Sequence, residues 1–94
     1  MNLGIIIGQV VATRKDEKLT GSKLMITQPV DAYLHPAGEK IVAVDTVGAG
    51  VGETVLYVQG YAATRAFSDR DMPVDAAIIG IVDKIDCYEA RKDG

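Results

Sequence analysis

Two isoleucine runs constrain this chain more than any other feature. Ile5-Ile6-Ile7 is followed at once by Gly8, and Ile78-Ile79 is followed at once by Gly80. β-Branched residues hold few rotamers and favour a pleated, half-buried surface. A glycine inside a helix costs about 1 kcal/mol, so Leu3–Thr13, with Gly4 and Gly8 inside it, reads as a strand. In a strand such glycines mark bulges or tight bends, as at barrel corners. A half-buried strand should alternate apolar and polar residues, and these runs do not. Both of their faces are apolar, yet a small barrel has only one inside. The other face must be covered by a loop, a helix or another subunit, because large exposed apolar patches are uncommon on monomers.

The remaining strands show the same chemistry. Lys23–Gln28 reads as a second strand closed by Pro29, Ile41–Asp45 as a third, and Thr54–Gln59 as a fourth, with Leu56 and Val58 alternating against Tyr57. Val74–Ile85 reads as a fifth, centred on Ile78–Val82. Between them lie a charged loop tip at 14–18, a Pro36- and Gly38-containing loop at 30–40, and a glycine-rich connection at 47–53. Ala62–Phe67 can form one short helix. Residues 86–94 form a polar tail that frays or adds a short edge strand. The expectation is a mainly β chain: one barrel domain over residues 1–85 and a tail over 86–94. Five short strands with one helix between the last two fit a small, partly open barrel.

The chain has 94 residues, 48% of them apolar but with no Trp and only one Phe, so Ile, Val, Leu and Ala supply the core. That length makes one domain. A net charge of −3 argues against nucleic acid or an anionic membrane as partner, since either needs a basic patch. Cys87 is the single cysteine, which excludes an intrachain disulfide and fits a reducing compartment. The start lacks a basic signal-peptide region and no apolar run approaches the roughly 18–20 residues of a membrane span, so the cytosol is the expected location.

A search for chemistry returns little. Gly48-Ala49-Gly50-Val51-Gly52 is not the dinucleotide fingerprint, and the segment after it is a strand rather than the helix that would hold a pyrophosphate. The plainer reading is a tight connection with positive φ or close backbone approach, including approach to another copy of the chain. His35 is the single histidine, so a zinc site has too few ligands. Ser22 and Ser68 lack a nucleophile elbow, and Cys87 lacks a base nearby in sequence. Asp45 and Glu53 flank the glycine run and can serve as an acid–base pair, although such residues more often bond loop amides. Asp75 and Asp83 are placed on one face of the last strand, far apart. Tyr33, Tyr57, Tyr61 and Phe67 are too scattered for a nucleic-acid stacking surface. No cofactor and no metal are expected.

Taken in order along the chain, Gly8–Thr13, Lys23–Met25 with Gln28–Asp31, Val42–Glu53 and Pro73–Asp83 resemble the EutN/CcmL family, the vertex proteins of bacterial microcompartments. The Asp45-x-Val47-Gly48-Ala49-Gly50-x-Gly52-Glu53 stretch is the most specific part of the match. The resemblance implies an OB-like five-stranded barrel that forms a cyclic homopentamer and caps the fivefold vertices of a polyhedral shell. Such a shell is a carboxysome or a metabolosome, lying in the cytoplasm. The resemblance implies no enzymatic activity and, as partners, other copies of the chain together with hexameric or trimeric shell proteins. It places Gly48, Ala49, Gly50, Gly52 and Glu53 at a subunit interface or near the fivefold axis, with Glu53 bonding loop amides or a neighbour. The family pattern Gly-Ser-Ser-Ala-Arg appears here as Gly60-Tyr61-Ala62-Ala63-Thr64, with Arg65 one residue later. If that segment lines a pore or an interface, Gly60, Tyr61, Ala62, Thr64 and Arg65 make a bulkier, less hydroxylated version. A small barrel acting as a ligand- or peptide-binding module is the alternative, and an enzyme using Asp45 and Glu53 is a third reading.

Overall fold

The computed structural model describes residues 1–13, 17–19, 21–60, 62–63, 66 and 74–89. Five strands are present: β1 (Asn2–Val10), β2 (Lys23–Val30), β3 (Ile41–Asp45), β4 (Thr54–Gln59) and β5 (Ala76–Ile81). They close in the order β1-β2-β3-β5-β4. All neighbouring pairs are antiparallel except β3 and β5, which run parallel. The partly open barrel expected from the strand count is therefore closed. Its parallel seam is short, pairing Val44 with Ala77 and Asp45 with Ile78. Thr46 lengthens it, donating its amide and its hydroxyl to the Ile78 carbonyl at 3.2 and 2.7 Å.

The two isoleucine runs are the sites of β-bulges. On β1 the pairing with β2 passes from Ile6↔Thr27 to Gly8↔Ile26, leaving Ile7 as the extra residue. On β5 the pairing with β4 passes from Tyr57↔Ile78 to Leu56↔Gly80, leaving Ile79 extra. A bulge inserts one residue and resets which face the next one meets. Ile6 and Ile78 are fully buried, while Ile7 stays 43% exposed. The missing alternation thus has a local cause.

The core joins Ile6, Met25, Val55, Tyr57 and Ile78 with the small residues Ala43, Ala49 and Ala76. Burial pushes the Tyr57 phenol above its ordinary pKa. Gly4 lies at the tightest point: a Cβ there would sit 2.5 Å from Thr27 Cγ2 and 3.2 Å from Tyr57 Cε1. Thr27 is wholly buried, and its hydroxyl donates to the Met25 carbonyl at 3.3 Å.

Pro29 does not end the second strand; β2 continues through it to Val30. The N–H and C=O of one strand residue point to the same side, and the Pro29 carbonyl accepts from Ala37 N–H at 2.9 Å. The amide that proline lacks would therefore face that loop side, away from β1, where β3 pairing has already ended at Thr27. At the other end of the chain, β5 covers only Ala76–Ile81. Asp75 and Asp83 flank it, so the shared strand face expected for them does not exist. Residues 82–89 add no strand; the Tyr33 hydroxyl donates to the Glu89 carbonyl at 2.9 Å and ties this segment to the loop after β2. Of the charged tip, residues 17–19 form one 3-10 turn and residues 14–16 lie outside the described residues. Of the expected helix, Ala62 and Ala63 are helical, while Thr64, Arg65 and Phe67 lie outside the described residues.

Candidate functional site

The connection from β3 to β4, residues 46–53, is held from both ends. It opens on Asp45, whose side chain is only 2% exposed. Asp45 Oδ1 accepts the Val47 amide at 3.0 Å, turning the chain out of β3. Across the strand pair, Lys23 Nζ lies 3.7 Å from Asp45 Oδ2 and donates to the Ala49 carbonyl at 3.1 Å. Ala49 is fully buried against the core. At the far end, Glu53 Oε1 accepts the Gly50 amide at 2.6 Å and the Glu53 amide donates to the Gly50 carbonyl at 3.2 Å. The loop then joins the barrel wall: Gly52 N–H donates to the Ile6 carbonyl at 2.8 Å, and Ile6 N–H donates to the Glu53 carbonyl at 3.0 Å.

The glycines serve a conformational need within this loop. Gly48 and Gly52 have φ of 81° and 93°, a region side chains rarely adopt, while a Cβ at either would meet nothing within 4 Å. Crowding within one chain belongs instead to Gly4. The loop tips are apolar and open, with Val47 40% and Val51 63% exposed.

Asp45 and Glu53 both direct an oxygen at a loop amide, which is the capping role rather than a pairing of acid with base. His35 Nδ1 stands 3.6 Å from Asp31 Oδ2 in the loop after β2. Cys87 is exposed, with Sγ 3.5 Å from the Tyr33 hydroxyl.

The second predicted segment does not join the first. Gly60 follows β4, whereas Glu53 precedes it, so the two lie at opposite ends of a six-residue strand, about 20 Å apart. Gly60 has φ of 65°, its amide donates to the Asp75 carbonyl at 2.8 Å, and its carbonyl accepts from Ala63 N–H at 3.0 Å. Ala62 is exposed and Ala63 buried; Tyr61, Thr64 and Arg65 lie outside the described residues. Lys23 and Thr46, which anchor the loop, carried no signal in the sequence. Lys23 precedes its acceptor Ala49 by 26 positions and looks like an ordinary strand-end charge.

Residues 1–83 match the family model described as ethanolamine utilisation protein EutN/carboxysome. The bacterial microcompartment shell vertex protein EutN of Salmonella typhimurium is 41% identical over 85 residues, covering 90% of this chain and 86% of the relative. The carboxysome shell vertex protein CcmL of Synechocystis is 39% identical over 99 residues, covering 100% of this chain and 99% of the relative. Among solved structures, the GrpN pentameric microcompartment shell protein from Rhodospirillum rubrum superposes with a TM-score of 0.83 at 43% identity, covering 95% of this chain and all of that one.

Proposed function

This chain belongs to the EutN/CcmL family, and on that premise we infer that it is a structural shell protein whose homopentamer caps the fivefold vertices of a bacterial microcompartment. The observation that carries the reading is the outside of the barrel. Residues paired across a ladder share a face. The outward pairs Leu3↔Leu56 and Ile26↔Val42 are apolar, as is Leu24, whose partner Val44 is already buried within the chain. Leu3, Leu24, Ile26 and Leu56 are only half-buried and Val42 is 48% exposed. A cyclic ring joins unlike patches of neighbouring copies and closes on itself, and it covers such a surface.

In this reading the barrel domain is residues 1–85 and the tail residues 86–94. Gly48, Ala49, Gly50, Gly52 and Glu53 pack against the neighbouring subunit or near the fivefold axis. Gly60, Tyr61, Ala62, Thr64 and Arg65, at the other end of β4, line a pore or a second part of the interface. The chain is not an enzyme: Asp45 and Glu53 hold backbone in place. Its partners are its own copies and hexameric or trimeric shell proteins, and the shell lies in the cytoplasm. Light scattering on the eluting protein should give five times the 10.0 kDa chain mass. A monomer or dimer at micromolar concentration overturns the reading in favour of a small binding module.

A further inference from the structure

We propose that Lys23 is a positioning residue for assembly, fixing the shape in which the β3–β4 loop meets the next subunit. The inference rests on the pentamer reading and names a residue of that same contact. It starts from Asp45. A carboxylate this buried needs a compensating partner, and one amide, that of Val47, satisfies only Oδ1. Oδ2 faces the Lys23 ammonium at 3.7 Å. That ammonium also reaches the Ala49 carbonyl at 3.1 Å, so a single charged group ties the first residue before the loop to the loop's middle.

The placement is set by the sheet. Lys23 opens β2 and is the direct ladder partner of Asp45 on β3, which puts the two side chains side by side. Lysine carries three donors on a compact charge, enough for both acceptors and for water, which its half-exposed side chain still meets.

Beside its bonds to Ile6 and Ile78, the loop has a side-chain clamp in each half. Lys23 holds residues 45–49, and Glu53 holds residues 50–53. The exposed Val47 projects from the first half and the exposed Val51 from the second. Two apolar tips at a fixed separation are what a neighbouring copy can be shaped to receive. Removing the Lys23 clamp loosens the first tip, leaving it the Asp45 cap and the Thr46 bonds, and keeps the second in place.

The test compares wild type with Lys23→Met, which keeps the stem and removes the charge, and Lys23→Arg, which keeps the charge. Native mass spectrometry on a dilution series reads the concentration at which the pentamer dissociates, and hydrogen exchange reads residues 46–53. Lys23→Met should raise the dissociation midpoint at least about tenfold, speed exchange across 46–50 and leave the β4 amides protected. Lys23→Arg should recover most of both effects. Lys23→Gln, which keeps a donor for Ala49 without the charge, carries the same comparison if Lys23→Met does not fold. A pentameric wild type whose uncharged variants dissociate at the same concentration overturns the inference alone. A wild type that is not pentameric overturns the assembly reading and this inference with it.

Discussion

Two of the connections between strands are built from the same devices to opposite ends. The β3–β4 loop (46–53) and the β2–β3 loop (31–40) each start from an aspartate that accepts the amide two residues on, Val47 for Asp45 and Tyr33 for Asp31. Each passes through positive φ twice, at Gly48 and Gly52 in the first and at Leu34 and Gly38 in the second. They part in where their bonds go. The first is sewn to β1, β2 and β5 through Ile6, Lys23 and Ile78, and buries Ala49 completely. The second bonds mainly within itself and to the end of β2: Asp31 accepts Tyr33 and His35 amides, and Gln28 Nε2 donates to the Gly38 carbonyl. Nine of its ten residues are exposed, Tyr33 excepted. One loop is a piece of barrel wall, and the other is an appendage that holds its own shape. Equal local geometry thus gives no measure of how much a loop matters to the fold.

Substitutions can widen or erase that contrast. Ala49→Leu should cost about 1–3 kcal/mol in urea unfolding through overpacking, whereas Ala37→Leu in the exposed loop should stay within about 0.5 kcal/mol; equal effects would break the distinction. Glu53→Ala should lose about 1 kcal/mol of stability with its capping bond. It should also weaken the pentamer in native mass spectrometry, while Asp31→Ala, with a similar stability loss, should leave the pentamer intact. Leu34→Gly relieves a left-handed leucine at φ 66° and should stabilise by about 0.5 kcal/mol in thermal melting, the relief exceeding the added chain entropy. The corresponding positions in the first loop, Gly48 and Gly52, should tolerate nothing larger without loss. Smallest of all, Tyr33→Phe should leave the melting temperature unchanged and quicken hydrogen exchange only across 85–89, since its hydroxyl holds that segment by donating to the Glu89 carbonyl and accepting from Cys87.

How far the sequence could be read depended on the range of the cause. β3 and β4 were legible to the residue, because their ends are set by local composition: charges and glycines around Ile41–Asp45 and Thr54–Gln59. The glycine run was legible together with one of its two expected reasons, since Gly48 and Gly52 do take positive φ. Close approach within the chain falls elsewhere, at Gly4, whose neighbours Thr27 and Tyr57 arrive from distant strands. The isoleucine runs read as doubly apolar faces even though Gly8 marked a bulge or bend, because which residue a bulge leaves extra is a relation between strands. Pro29 could not announce that its missing amide would face the loop side, because that depends on where β3 stops. Lys23 was invisible for the same reason: its partners are Asp45 and Ala49, supplied by the ladder rather than by the neighbourhood in sequence.

The squeeze at Gly4 reaches beyond stability. With Ile6, Met25, Tyr57 and Ile78 meeting in the middle of a closed wall, and no room beside Thr27 even for a methyl group, the protomer is a plug. Among the described residues, the barrel interior leaves a small solute no corridor. A solute that passes such a unit at all passes beside the barrel rather than through it, past side chains that a solitary chain leaves facing water.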